Sequence, residues 1–180
     1  MLRIREMRRD DVDAVADLRV RGWQAAYAGM VPQAYLDAMS VEEDARSRRA
    51  AFADPRSRAV HLVADDGTGA VGWAAYGPYR GTPPGPDTGE LYALYVRPEL
   101  VGTGVGRALV EAVHARLWRD EGCAGCALWV LRDNARARRF YEAAGYRPDG
   151  AVQREDLGGR EVAEVRYRRG RPRGRGRPVG

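Results

Sequence analysis

Three glycines mark the segment of the chain that is best suited to bind a ligand. They stand at 102, 104 and 106 in ELVGTGVGRALV, residues 99–110, directly before an apolar run that is typical of a helix. Such loops bind phosphate, because bare backbone N–H groups and the positive end of the helix dipole surround the anion. The chain has no lysine for a nucleoside-triphosphate loop and no acidic residue placed for a nicotinamide ribose. A strand-to-helix connection without a ligand stays open.

A second block, NARARRFYEAAGY at residues 134–146, changes this interpretation. Together with ELYALYVRPELVGTGVGRAL it resembles the GNAT superfamily of N-acetyltransferases over about residues 89–147. The family loop Q/R-x-x-G-x-G/A falls on 101–106, and N-x-x-A-x-x-F-Y-x-x-x-G-F/Y falls on 134–146. The resemblance implies that acetyl-CoA is the co-substrate and that the glycine loop binds its pyrophosphate. The coenzyme-binding residues that it implies are Leu94, Tyr95, Val96, Val101, Gly102, Thr103, Gly104, Val105, Gly106, Arg107, Asn134 and Tyr141.

Val101 departs from the family pattern, which has glutamine or arginine at this position. Backbone N–H groups and the helix dipole supply most of the anion binding, so we expect Val101 to weaken the site rather than abolish it. Arg97 and Arg107 are the nearby candidates to replace the missing charge. The departure keeps one alternative open, a protein that binds acetyl-CoA without catalysing transfer.

Acetyl transfer to an amine needs a group that accepts the ammonium proton and a group that protonates the leaving thiolate. Glu90 is the candidate base, because its place eleven residues before Val101 resembles that of the family's catalytic glutamate. Strand alternation predicts that Glu90, Tyr92, Leu94 and Val96 share one face. A solvated glutamate, with a water chain as the base, is the alternative.

The resemblance assigns three further roles around the thioester. Tyr141 is the candidate acid that protonates the thiolate; packing on the sheet is its alternative. Asn134 binds the pantetheine arm and is suited to cap a helix at the same time. The backbone of 94–96 forms the family's strand bulge, binds pantetheine and donates to the thioester oxygen.

Aromatic residues are the candidates for the acceptor pocket. Trp23 and Tyr27 stand one helical turn apart, and Tyr76 and Tyr92 add two more rings. Plain core packing explains the same pattern equally well. The Pro/Gly-rich loop 80–89 is long enough to act as a lid. We therefore expect a small-molecule or peptide amine as the acceptor, which the sequence does not name.

Charge divides the chain of 180 residues into a domain, 1–168, and a tail, 169–180. The formal net charge of +5 equals the five arginines of the tail, so the domain is formally neutral. The tail repeats R-G-R-P, which resembles a minor-groove DNA-binding hook. The alternatives are a nucleic-acid tether as the main function, or a disordered basic tail that binds polyanions loosely.

The order of predicted elements favours an α/β fold. Strand and helix segments in this order predict a sheet with helices on both faces. The resemblance implies the GNAT fold, with a mixed, mostly antiparallel sheet of six to seven strands. Cys123 and Cys126 precede a strand and lack a second pair, and the two histidines have no acidic cluster beside them, so we expect no metal. No signal peptide or membrane span is visible, which predicts a cytoplasmic protein. The resemblance leaves a homodimer open.

Overall fold

Seven strands and five helices make up the fold in the computed structural model, which describes residues 1–85 and 87–172. The strands are β1 (Arg3–Glu6), β2 (Val60–Asp65), β3 (Ala70–Pro78), β4 (Thr88–Val96), β5 (Gly125–Leu131), β6 (Arg147–Leu157) and β7 (Arg160–Gly170). The helices are α1 (Val12–Ala26), α2 (Gln33–Asp37), α3 (Val41–Ala53), α4 (Val105–Arg119) and α5 (Ala135–Ala143).

The strands form one sheet in the order β1-β2-β3-β4-β5-β7-β6. Every neighbouring pair is antiparallel except β4 and β5, which are parallel and are connected through α4. The predicted mixed, mostly antiparallel sheet is therefore confirmed.

Helices pack on both faces of the sheet through apolar side chains. One cluster packs α4, through Leu109 and Val113, and α5, through Phe140, against the sheet. The other cluster packs α1, through Val15, and α3, through Ala45, against the opposite face. This two-sided packing holds the ends of β4, α4 and α5 in fixed positions around one opening.

A β-bulge at Tyr92 corrects the predicted geometry of β4. Ala93 pairs with Ala75 and Leu91 with Tyr76, so Tyr92 is the extra residue. The bulge was expected at 94–96. It lies two residues earlier, at Tyr92. Because an extra residue reverses the alternation, the four predicted side chains do not share one face. Tyr92 packs on the α1 side, whereas Leu94 and Val96 pack on the α4 side.

Strands β4 and β5 separate immediately before this bulge. Their parallel pairing covers only Thr88–Glu90 and Gly125–Ala127. Beyond Glu90 the two strands diverge, as a bulged strand that bends away from its neighbour does. The divergence opens the sheet between the end of β4 and the end of β5.

Strand β7 continues two residues beyond the predicted end of the domain. Arg169, which composition had placed in the tail, donates from Nη1 to Nδ1 of His114 at 2.8 Å and to the carbonyl of Ala144 at 2.7 Å. The first R-G-R-P repeat therefore begins inside the sheet, because its first arginine has buried partners. Residues 173–180, which include the second repeat, lie outside the described residues.

Candidate active site

A cleft of about 1470 Å³ occupies the opening between β4 and β5. We call the part beside the glycine loop and α5 the coenzyme half, and the part beside α1, β6 and β7 the acceptor half. The end of β4 contributes to both halves, with Leu94, Tyr95 and Val96 among the lining residues. The cleft is continuous, so a ligand on the glycine loop and a second ligand in the acceptor half would meet at the open end of β4.

The glycine loop has the backbone geometry of an anion cradle. Gly102 and Gly104 have φ values of 91° and 98°, which residues with a side chain rarely adopt. The space where a Cβ would stand is open at both positions. Gly104 precedes α4, whose first N–H groups have no acceptor within the helix. The residues present therefore fit a pyrophosphate group that binds through the backbone.

Few side chains of the glycine loop are free to bind a ligand. The N–H and the hydroxyl of Thr103 both donate to the carbonyl of Leu100, at 3.2 and 2.6 Å. Val105 is buried in the core, so only its backbone is offered to a ligand. Val101 is 41% exposed and lines the cleft, as does Arg107 in the first turn of α4. Apart from Arg107, the loop offers a ligand mainly backbone groups.

Gly106 and Asn134 bring α4 and α5 to the coenzyme half. A Cβ on Gly106 would stand 3.4 Å from Phe140, so α4 and α5 lie in close contact at this position. Asn134 caps α5, because its Oδ1 accepts the N–H of Ala137 at 3.0 Å. Its Nδ2 carries two further N–H donors, and the residue lines the cleft. The double role predicted for Asn134 is compatible with this geometry.

Tyr141 lies between the two halves. Its ring packs edge-on against Phe140 and Tyr146, at centroid distances of 5.2 and 5.8 Å, and the residue lines the cleft. Burial raises the pKa of its phenol, and Tyr95 and Cys126 raise it further. The phenol therefore stays protonated at neutral pH and can donate a proton.

Glu90 is buried and already engaged. Its side chain is 2% exposed, and its Oε2 accepts the N–H of Arg80 at 2.8 Å while Oε1 accepts Nη2 of Arg80 at 2.7 Å. This is neither a solvated strand-end glutamate nor a free base. A base role for Glu90 would require Arg80 to release the carboxylate first.

The acceptor half is lined by rings from α1 and the segment that follows it. Trp23 and Tyr27 stand edge to face at 4.8 Å, and Tyr35 lies 6.3 Å from Trp23. The hydroxyls of Tyr27 and Tyr95 are 3.4 Å apart. The structure therefore brings the predicted pair Trp23 and Tyr27 to the cleft.

Of the two other tyrosines predicted to line the acceptor pocket, Tyr92 lines the cleft and Tyr76 does not. Tyr92 lines the cleft, and its hydroxyl donates to the carbonyl of Pro78 at 2.5 Å. Tyr76 is 2% exposed and packs with the α4 cluster on the other side of the sheet. Because of the bulge, Tyr76 pairs with Leu91 and not with Tyr92, so the two tyrosine rings lie on opposite faces of the sheet. The prediction of Tyr76 as an acceptor residue is therefore wrong.

Several residues of the acceptor half escaped the sequence analysis. Gln153 and Glu155 on β6 and Glu164 on β7 line it, together with Trp129 on β5. The one available signal for Glu164 was strand periodicity, which puts it on the same face of β7 as the buried Val162. Nothing in that pattern indicates that α1 covers the same face, so the carboxylate could not be assigned to a site.

The two cysteines lie away from the lining of the cleft. Burial raises the pKa of the Cys126 thiol to about 12, and the hydroxyl of Tyr146 donates to its Sγ at 3.2 Å. Burial also raises the pKa of Cys123. Among the described residues there is no group of three or more His, Cys, Asp or Glu placed to hold a metal ion. In the same part of the chain, no helix has the length and apolarity to cross a membrane.

Comparison with known proteins assigns the class of this fold and cleft. Residues 23–146 match the acetyltransferase (GNAT) family. The chain belongs to this family, and it is an acetyl-CoA-dependent N-acetyltransferase. The resemblance seen in the sequence is confirmed, and acetyl-CoA is the co-substrate.

Particular relatives cover different shares of the chain. An uncharacterized N-acetyltransferase of Bacillus subtilis, YuaI, is 32% identical over 170 residues, which are 92% of this chain and 91% of that protein. A mycothiol acetyltransferase of Propionibacterium freudenreichii is 36% identical over 81% of this chain, which spans only 43% of that protein. The PaiA N-acetyltransferase of Thermoplasma acidophilum, solved with coenzyme A, has a TM-score of 0.72 at 18% identity, covering 95% of this chain and 99% of its own. That likeness shows the fold.

Proposed function

We propose that the chain transfers the acetyl group directly to a primary amine of a small molecule or peptide, with both substrates bound in the cleft at once. The observation that carries this proposal is the continuous cleft, which leads from the glycine loop to the aromatic acceptor half. Among its described lining residues none is Cys, Ser, Thr or His. A covalent acetyl-enzyme would need such a nucleophile near the thioester.

The coenzyme is bound mainly by backbone groups in this proposal. The N–H groups around Gly102, Gly104 and Gly106 hold the pyrophosphate, aided by the dipole of α4. The open edge of β4, from 94 to 96, pairs with the pantetheine arm, and the amide of Asn134 donates to it. A backbone N–H aimed at the thioester oxygen contributes about 3–4 kcal/mol to the transition state.

Tyr141 acts as the acid in this mechanism. When the C–S bond breaks, its hydroxyl donates a proton to the thiolate, which a phenol with a raised pKa still carries at neutral pH. A positioned acid accelerates such steps by about 10²–10⁴-fold.

Calorimetry and two-substrate kinetics test the proposal. Acetyl-CoA titrated into the protein should bind one to one, and initial rates over a panel of primary amines should give intersecting double-reciprocal lines. Parallel lines, or an acetylated protein after incubation with acetyl-CoA alone, would instead indicate a covalent intermediate. Absence of acetyl-CoA binding at millimolar concentration would contradict the proposal altogether.

Cys123→Ser supplies the control for a hidden nucleophile. Cys123 is partly exposed and stands outside the cleft lining, and burial raises the pKa of its thiol. We expect the variant to retain the rate of the unchanged protein. A large loss of rate, together with the disappearance of acetylated protein, would instead identify the Cys123 thiol as the nucleophile.

A further inference from the structure

Two carboxylates in the acceptor half, the exposed Glu155 and the half-buried Glu164, have no ion-pair partner among the described residues, and only Glu164 is withdrawn from water. Glu164 is half-buried on β7, and its Oε2 accepts a hydrogen bond from Nε2 of Gln153 at 2.6 Å. Glu90, by contrast, is paired with Arg80 at 2.7 Å. A carboxylate removed from water needs a compensating charge, and an amide supplies only part of it. Glu164 is therefore available to a cationic ligand.

The sheet register brings Glu164 to the edge of the opening. It pairs with Leu131, the last residue of β5, on one side and with Gln153 of β6 on the other. Val162, two residues earlier on the same face, is buried in a cluster with Leu36 of α2. Glu164 thus faces the side of the sheet that α1 and α2 cover.

Tyr27 connects Glu164 to the site of acetyl transfer. Burial raises the pKa of Tyr27 well above its ordinary value, and Tyr95, Tyr141 and Glu164 raise it further. Tyr27 also lines the cleft together with Tyr141 and Glu164, and its hydroxyl lies 3.4 Å from that of Tyr95 on β4. An amine held at Glu164 would lie near the thioester that Tyr141 serves.

The rings that line the acceptor half together with Glu164 suit an apolar amine. Trp23 and Tyr27 form an edge-to-face pair at 4.8 Å, and Tyr35 lies beside Trp23. Aromatic faces attract an ammonium group within about 6 Å and bury the apolar body that carries it. Arg80 and Arg154 are exposed cations that line the cleft, and both are already engaged, Arg80 with Glu90 and Arg154 with Glu161. A substrate carboxylate would therefore compete with partners that are already in place.

We propose that Glu164 binds the ammonium group of an apolar acceptor amine without a carboxylate and removes its proton before attack. This inference rests on the proposed function. One ammonium proton moves to Oε1 of Glu164, and the freed lone pair forms the C–N bond at the thioester carbon. The C–S bond then breaks, and Tyr141 protonates the sulfur. A second nitrogen proton restores Tyr141, and the proton on Glu164 leaves to solvent.

The surroundings of Glu164 favour a base. Burial raises its pKa above the ordinary 4.5, and the charges of Glu155 and Glu90 act in the same direction; the hydrogen bond from Gln153 and the charge of Arg80 offset only part of this rise. A carboxylate with a raised pKa is a stronger base at neutral pH. The groups that face it are Gln153 and Glu155 on β6, Glu90 on β4, Arg80 after β3, Tyr27 on α1, and Arg166 on β7, which is bonded to Asp149.

Binding of two probes to the protein saturated with coenzyme A tests this role without turnover. The probes are 2-phenylethylamine and phenylalanine, which differ by one carboxylate. By calorimetry at pH 7, 2-phenylethylamine should bind at least about tenfold more tightly than phenylalanine, and Glu164→Gln should weaken it about tenfold, a loss of 1.4 kcal/mol. Glu164→Asp should retain part of the affinity. Glu42→Gln, which removes an exposed carboxylate of α3 outside the cleft lining, is the control and should change it less than twofold.

The pH dependence gives a second readout. The ammonium stays charged across pH 5–8, since amine pKa values lie near about 10. Affinity should therefore fall as the pH is lowered through the raised pKa of Glu164, because protonation removes the negative charge. In Glu164→Gln the affinity should stay low and flat over that range.

Three results would overturn the inference. They are no binding of 2-phenylethylamine to the unchanged protein, unchanged affinity in Glu164→Gln, or equal affinity for phenylalanine. Acetyl-CoA titration of Glu164→Gln shows whether the variant is folded, and Glu164→Asp serves if it is not. Failure of the unchanged protein to bind acetyl-CoA contradicts the proposed function, whereas intact acetyl-CoA binding with unaltered amine affinity in Glu164→Gln removes only this inference.

Discussion

The two halves of the cleft are built from different parts of the chain. The coenzyme half comes from one contiguous stretch, β4 through α5, and it presents mostly backbone groups around Gly102 and Gly104. The acceptor half is assembled from α1, β5, β6 and β7, and it presents side chains such as Trp23 and Glu164. A backbone site fixes a common ligand, whereas a side-chain site can change its ligand with a single substitution.

The largest expected effect is on the backbone cradle. Gly104→Val puts a β-branched side chain at φ 98° and fills the open space beside it, so acetyl-CoA affinity should fall by about 100-fold or more. Calorimetric titration measures the change. Gly67→Val is the matched control, because Gly67 has φ 99°, the same open surroundings and a position in the β2–β3 turn. Equal losses of affinity in both variants would show general strain instead of a lost cradle.

The same division explains what the sequence could predict. Positive φ and strand-to-helix order leave local signatures, so the glycine loop was found from the residue pattern, whereas the roles of Asn134 and Tyr141 came from the resemblance to the GNAT family. The bulge at Tyr92 left none, because one extra residue in a strand of strong β-forming residues changes only the pairing with β3. The expected common face of β4 and the acceptor role of Tyr76 were wrong for that reason.

Long-range contacts account for what else was missed. The partner of Glu90 is ten residues away in the loop after β3, and Glu164 reaches the cleft only because β7 inserts between β5 and β6. Arg169 was assigned to a disordered tail on composition, although its guanidinium binds His114 from 55 residues away. Composition describes an average environment, whereas such contacts depend on the topology of the sheet.

Tyr141→Phe tests the candidate acid, which lies where the two halves of the cleft meet. Removing the acid should lower kcat by about 100-fold while the acetyl-CoA affinity stays within about threefold, because the ring packing is kept. Since burial raises the pKa of Tyr141 above 10.0, kcat in the unchanged protein should not decline through this group as pH rises from 7 to 10. Steady-state kinetics over that range measures both.

A control phenol distinguishes the acid from a general effect of the substitution. Tyr79→Phe removes a hydroxyl that accepts a hydrogen bond from Arg166 at 3.2 Å, and Tyr79 stands outside the cleft lining. Its kcat should be unchanged. An active Tyr141→Phe enzyme would mean that the thiolate leaves without this acid.

Trp23→Leu tests the side-chain half alone. The substitution removes the ring that packs on Tyr27 and Tyr35, so KM for 2-phenylethylamine should rise about tenfold. KM for acetyl-CoA should stay within twofold, because no part of the glycine loop contacts this ring. Loss of both affinities together would show that the two halves are not independent, and the comparison would fail.

Val101→Gln is expected to have the smallest effect, and it tests the backbone argument most directly. The substitution restores a polar side chain at an exposed position that lines the coenzyme half. One added hydrogen bond contributes about 0.5–1.5 kcal/mol, so acetyl-CoA should bind about two- to tenfold more tightly by calorimetry. A gain far above that range would mean that the loop depends on its first side chain, and the glycine cradle would then be the minor contributor. A small gain is the result that a site made of N–H groups and a helix dipole requires, because the anion is already bound by groups that Val101 does not remove.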